Sequence, residues 1–269
     1  MTNDPGQTIL NRLAEEIAHH PPTIGVVGVS GVGKSSTINA MFRTDLPTSD
    51  TVACTKEFRS TDLSVDLNAS AVGEAAGLPE LSVRPRVRLR VVDAPGLGED
   101  LDADEKYLRM YRESLPACDA VLWVMAARNR AVALDQMYLG QLTEFHERMV
   151  FGINQVDLVE PGDWRPSYNI PSGRQEANIR AITRDRTERL SGLLDQPPRV
   201  IAYSSRLGYR LEQLFRALLA VVPAHRQWIY AGLKNFSYLD FIPQETQRTF
   251  GFKLAQALGR RRNGHVSKG

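Results

Sequence analysis

Apolar residues in this chain fall into short unbroken runs, separated by stretches where they recur every three or four positions. The runs at Thr23–Val27, Val87–Val92, Ala120–Met125, Met149–Asn154 and Arg199–Tyr203 predict strands buried on both faces. Phe58–Leu67 alternates instead, which predicts a strand with one wet face. The three-to-four spacing predicts helices over Ser35–Phe42, Ala133–Phe145, Asn178–Leu194 and Leu211–Val222. In Ala133–Phe145 the expected inward side chains are Leu134, Met137, Leu139 and Leu142. Gln7–His19 reads as an amphipathic helix with Ile9, Leu10, Leu13, Ala14 and Ile17 on one stripe, ended by Pro21 and Pro22. Asn68–Arg84 and Pro161–Gln175 are rich in small residues, glycine and proline and read as loops. Buried strands separated by helices imply an α/β fold, a mostly parallel sheet covered by helices on both faces.

The junctions between these elements carry the chemistry. After the first strand comes Gly28-Val-Ser-Gly-Val-Gly33-Lys34-Ser35, a phosphate loop that opens a helix. Its glycines let backbone N–H groups turn toward one anion, and the helix N-terminus adds partial positive charge. Gly28, Ser30, Gly31, Val32, Gly33, Lys34, Ser35 and Ser36 are the candidate nucleotide contacts here. Lys34 would reach the β- and γ-phosphates, and the Ser35 hydroxyl would ligate Mg2+. Asp93-Ala94-Pro95-Gly96 ends another strand, placing Asp93 to hold Mg2+ through water and the Gly96 N–H to meet a γ-phosphate. Asn154-Gln155-Val156-Asp157 follows a fourth. A carboxylate there accepts N1–H and N2–H2 of guanine, a donor pair adenine lacks. Ser204 and Ser205 close the last strand, with the Ser205 N–H directed at the guanine O6.

The chain has 269 residues, with 42% hydrophobic and 24% charged, so one large globular domain with appendages is expected. Two cysteines, Cys54 and Cys118, exclude a disulfide scaffold. With no secretory leader recognised, they point to a reducing cytoplasmic setting. No apolar run reaches membrane-spanning length. His19 and His20 have no partners at metal-ligand spacing, so no zinc site is expected. The net charge of +2 hides an asymmetry: residues 232–269 carry seven basic and two acidic side chains, a net of +5. Trp228, Tyr230, Phe236, Tyr238, Phe241, Phe250 and Phe252 lie in or beside that basic tail. It is read first as packing on the body. An RNA- or ribosome-facing surface and a weak membrane contact are the alternatives.

In their order and spacing these elements resemble the translation-factor-class GTPases of the Era-like branch. The stretches GVSGVGKSSTINAMF, DAPGLGED, ACDAVLWVMAARNRAVALDQ and INQVDLVEPGDW resemble a bacterial, often prophage-associated group of ribosome-binding relatives. The resemblance covers roughly residues 7–222. It implies a P-loop GTPase with a Ras-like G domain over 21–223, an N-terminal helix over 1–20, and a partly helical extension over 224–269 with a disordered basic end. It implies GTP and GDP as ligands and Mg2+ as cofactor. It also implies Thr55, with Thr51 as alternative, as the switch I threonine on Mg2+ and the γ-phosphate, and Gly96–Glu105 as switch II. Lys34, Thr55 and Gly96 are then the catalytic candidates, and Ser35, Thr55 and Asp93 the metal candidates.

Three departures from the family pattern matter. Gln155 stands where a lysine is usual, so somewhat weaker guanine binding is expected. Leu97 follows Gly96 where Ras-type proteins carry a water-positioning glutamine. Gly31 takes the place of an asparagine found in potassium-activated relatives. The expected function is a nucleotide-dependent switch with slow Mg2+-dependent hydrolysis. The missing catalytic group would come from an unknown protein, the ribosome or a second copy in a G-domain dimer, or in cis from Arg43, Lys56 or Arg59. The alternative is a non-hydrolysing GTP/GDP module whose tail makes the important contact. An ATPase is the third reading, disfavoured by Asp157.

Overall fold

A computed structural model of the protein describes residues 15–48, 58–66, 86–98, 101–129 and 132–231. Six strands form one sheet in the order β2-β3-β1-β4-β5-β6: β1 Thr23–Val27, β2 Arg59–Asp66, β3 Arg86–Asp93, β4 Ala120–Ala126, β5 Met149–Asn154 and β6 Val200–Ala202. All neighbours pair in parallel except β2, which runs antiparallel to β3 on the edge. The alternating strand is thus the half-wet edge, and the unbroken apolar runs β1, β4 and β5 are buried along their length, as sheet faces covered on both sides require.

The helices are α1 Lys34–Phe42, α2 Leu101–Ser114, α3 Ala133–Leu139, α4 Gly173–Ser191, α5 Leu211–Val221 and α6 Gln227–Ala231. Three differ from the sequence expectation. The predicted helix over Ala133–Phe145 stops at Leu139 before Gly140, and a 3-10 turn over Thr143–Arg148 continues the path. Of the expected inward residues Leu139 and Leu142 are buried and Leu134 is partly buried, but Met137 is exposed, and Asp135 and Tyr138 turn inward instead. Asp135 is inside because the Trp123 indole N–H donates to it at 2.8 Å; burial still pushes its carboxyl up to about 6. Helix α4 begins inside the segment read as a loop, with the Ser172 hydroxyl accepting the Gln175 N–H as N-cap. Helix α2 begins within Gly96–Glu105, the stretch assigned to switch II, and runs on to Ser114, where no element was expected.

Chain order reverses around β1, which has β3 on one side and β4 on the other. Ligands in open parallel sheets bind at such a switch point, beyond the strands' C-terminal ends. Asp93, Asn154 and the turn after Ala202 all end their strands at that edge.

At the opposite end, Asp119 ties the start of β1 to residues 226–230. It accepts the Thr23 N–H at 3.0 Å, two Arg226 N–H groups and the Tyr230 hydroxyl at 2.7 Å. Arg226 also donates to the His20 carbonyl at 2.9 Å. Residues 224–231 therefore pack on the body, with Ile229 and Tyr230 in the core. Asp119→Ala would leave the Arg226 guanidinium buried without its carboxylate, so a loss of about 3–5 kcal/mol is expected in denaturant unfolding.

Candidate functional site

The phosphate loop is shaped by three glycines at positive φ: Gly28 at 138°, Gly31 at 72° and Gly33 at 86°. A Cβ on Gly33 would lie 2.6 Å from Asn154 Nδ2, so the loop closes directly against the base-reading strand end. Lys34 is buried and folds back over its own loop, donating from Nζ to the Val29 carbonyl at 3.0 Å. Thr37, one turn into α1, donates to the Gly33 carbonyl at 2.7 Å and bonds the Tyr203 hydroxyl at 2.8 Å. Backbone amides and an ammonium around one concavity make an anion site.

The Asp93–Gly98 segment lies against this loop. Ser35 Oγ donates to Asp93 Oδ2 at 2.6 Å, bringing two oxygen ligands together of the type a hard cation takes. Among the described residues no group of three or more His, Cys, Asp or Glu side chains is placed to hold a metal. Leu97 and Val29 form a parallel bridge, with Ser30 N–H donating to the Leu97 carbonyl at 2.8 Å. Gly96 packs so closely on Ser30 that a Cβ would sit 2.7 Å from its Cα. Leu97 itself is 0% exposed.

Helix α2 and α3 fix that segment, through residues the sequence reading did not single out. The Tyr111 hydroxyl donates to the Pro95 carbonyl at 2.6 Å. Asp104 accepts the Gly98 N–H at 2.9 Å and, with its other oxygen, the Tyr138 hydroxyl. The signal was present: Asp104, Leu108 and Tyr111 recur at helical spacing and all are buried, but an aspartate on the inward stripe disguised it.

Around the base motif, Asn154 is 1% exposed and ties three elements together. Its Nδ2 donates to the Val32 carbonyl at 3.0 Å, and its Oδ1 accepts the Ser205 N–H at 3.0 Å. Gln155, at φ 65°, reaches from Nε2 to the Gly31 carbonyl at 3.4 Å, so the substituted side chain still links base turn to phosphate loop. Asp157 has its carboxyl nearly buried, at 2% exposure, and paired with the exposed Arg206 at 2.6 Å. Ser204 is buried, and its Oγ accepts the Leu207 N–H at 3.1 Å. Ser36 sits in the first turn of α1, beside Gly33. The structure thus assembles Gly28–Ser36, Asp93, Gly96, Asn154, Gln155, Asp157, Ser204 and Ser205 at one edge. Thr51, Cys54, Thr55, Lys56 and the tail from residue 232 lie outside the described residues. Among the described residues no helix is long and apolar enough to cross a membrane.

The family of 50S ribosome-binding GTPases matches residues 23–155, from β1 through the phosphate loop to the base turn. The uncharacterized protein YfjP of Escherichia coli strain K12 is 32% identical over 237 residues, covering 87% of this chain and 73% of YfjP. Another uncharacterized protein of that strain, YkfA, is 35% identical over 164 residues, covering 58% of this chain and 50% of YkfA. In fold the chain is similar to Era crystallised with MgGDPNP and part of 16S ribosomal RNA, at a TM-score of 0.51 and 16% identity, over 75% of this chain and 57% of Era. With YfjP related over most of both chains and the family match spanning the phosphate loop, the chain belongs to the 50S ribosome-binding GTPase family: it is a P-loop GTPase that binds and hydrolyses GTP.

Proposed function

We propose that the protein is a GTP-driven switch whose own hydrolysis is slow, with Mg2+ bound alongside the nucleotide. Leu97 carries the reading. Its side chain is fully buried and its backbone is bridged to Val29, so it cannot orient an attacking water. Gly31 has no side chain to ligate a monovalent cation. The residues that remain act by positioning and charge. Lys34 and the loop amides would hold the β- and γ-phosphates, with Ser35, Thr55 and, through water, Asp93 placed for Mg2+, which would offset charge developing on the phosphate oxygens. The Gly96 N–H would read the γ-phosphate. Thr55 and Gly96 would then order their loops in the GTP state and release them after hydrolysis.

Such a site needs a further positive group, and a partner acting in trans is the reading favoured here. The family description supports the ribosome as that partner, with a second copy of the chain as the other source. Phosphate release from the purified protein is expected at about 10⁻⁴–10⁻² per second. It should not change when Na+ is replaced by K+, and it should rise with protein concentration or with added ribosomes. A fast rate that ignores dilution would overturn the missing-group reading, and strong K+ stimulation would show that another residue replaces the absent asparagine.

A further inference from the structure

The segment after the base turn, from Trp164 into the first turn of α4 at Gln175, touches both halves of the base-reading apparatus. Gln175 is 0% exposed. Its Nε2 donates to the carbonyls of Val156, Asp157 and Val159 at 3.4, 3.2 and 2.9 Å. These carbonyls belong to the turn that carries the Asp157 carboxylate. Its Oε1 is buried with no hydrogen-bond partner among the described residues. A buried acceptor left so is a cost, which the donations on the other side of the amide must offset.

The same segment grips the second loop. Arg165 and Ile170 pair as a short antiparallel bridge, and Asn169 at its end has φ 50°. Asn169 is 4% exposed and donates from Nδ2 to the Leu207 carbonyl at 2.8 Å. Its Oδ1 accepts the Trp164 indole N–H at 3.2 Å, which fixes the orientation of the amide. Trp164 meets the Tyr209 ring edge-on, centroids 5.0 Å apart, and Tyr209 is the partner of Ser204 across the mouth of that loop. The loop so held is Ser204–Tyr209. It presents the Ser205 N–H to Asn154 and the Arg206 guanidinium to Asp157.

We infer that Trp164–Gln175 is a brace that sets the separation of the two base-reading loops, with Asn169 and Gln175 as positioning residues for guanine recognition. The inference rests on the reading of Asp157 as the guanine-binding carboxylate and adds to it the means by which that carboxylate is placed. Recognition by two hydrogen bonds to one carboxylate depends on position, because misplacing a donor–acceptor pair by a fraction of an ångström discards the bonds while leaving contact area intact. Loosening the brace should therefore cost discrimination between bases more than it costs phosphate binding.

The test uses Asn169→Gly and Gln175→Leu in the full chain. Glycine keeps the positive φ and removes the side chain that makes both hydrogen bonds. Leucine keeps approximate volume and removes the three donations. Dissociation of fluorescent GDP and of the inosine analogue, which lacks the 2-amino group read by Asp157, is compared at a temperature well below unfolding. Each variant is expected to release GDP about tenfold faster and to lose at least about threefold of the GDP-over-inosine preference. Trp164→Phe, which keeps the ring contact and drops the indole N–H, should show a smaller change in the same sense. Equal weakening toward both nucleotides, or an unchanged preference in folded variants, overturns the inference and leaves these residues as ordinary packing. The unmutated protein compared on GDP and ADP tests the underlying base reading separately: failure to prefer GDP there overturns that reading and the brace with it.

Discussion

Asp157→Asn is expected to lower GTP affinity by about 10²–10⁴-fold and to bring in xanthosine triphosphate as the preferred ligand. Guanine offers N1–H and N2–H2 to a carboxylate, and each charge-assisted bond is worth about 1.5–3 kcal/mol. Asparagine presents one acceptor and one donor, so it repels one of guanine's two donors and instead suits xanthine, which has a carbonyl at that place. The carboxyl is nearly buried, so water does not repair the mismatch. Stability should hardly change. The carboxylate's ion-pair partner, Arg206, is 67% exposed and returns to solvent when the pair is lost, and a pair with one partner in water contributes little. Competition of GTP and xanthosine triphosphate for a fluorescent nucleotide, with a melting curve beside it, separates the two effects. Retained GTP affinity in the variant, or equal binding of ATP and GTP by the unmutated protein, would remove Asp157 from its assigned role.

The pairing of Asp157 with Arg206 shows where sequence reading stops. Strands β1, β4 and β5 were legible because a strand covered on both faces can be little but apolar, and the phosphate loop because its glycines and lysine must be consecutive. The base motif was legible for the same reason: its members are neighbours in sequence. What could not be read are contacts whose two ends are far apart in the chain. Arg206 on Asp157, Asn169 on Leu207 and Tyr138 on Asp104 obey no spacing rule, since the fold and not the local chain brings them together. A second class of miss came from polar residues turned inward. Asp104 in α2 and Asp135 in α3 sit where an apolar residue is expected, each satisfied by an aromatic N–H or O–H; the first broke the periodicity by which α2 would be recognised, and the second changed which face of the recognised helix α3 turns inward. The segment Pro161–Gln175 was read as a loop from its prolines and glycines. Its hairpin and the start of α4 are held by side-chain bonds from Trp164, Asn169 and Ser172 that composition does not announce.

Two glycines of the phosphate loop, three positions apart, should respond very differently to alanine. At Gly28 a Cβ would lie 2.4 Å from the Val124 carbonyl oxygen, at φ 138°. Val124 is 0% exposed in the middle of β4, so its backbone cannot withdraw without breaking the pairing with β1 and β5. Gly28→Ala is expected to destabilise the protein by about 3 kcal/mol or more, from overpacking and backbone strain together, and to abolish nucleotide binding because the loop loses its first turn. At Gly31 a Cβ meets nothing within 4 Å, at φ 72°. Only the left-handed backbone penalty remains there, about 1–2 kcal/mol for alanine, and asparagine should cost less because it tolerates that conformation. Denaturant unfolding and fluorescent GDP titration of Gly28→Ala, Gly31→Ala and Gly31→Asn measure both consequences. The expected order is unfolding or no binding for Gly28→Ala, and folded, nucleotide-competent protein for both Gly31 variants. If Gly31→Ala lost as much stability as Gly28→Ala, the loop would have to lie closer to its neighbours than the open space around Gly31 allows, and the placement of the phosphate-binding turn would be wrong.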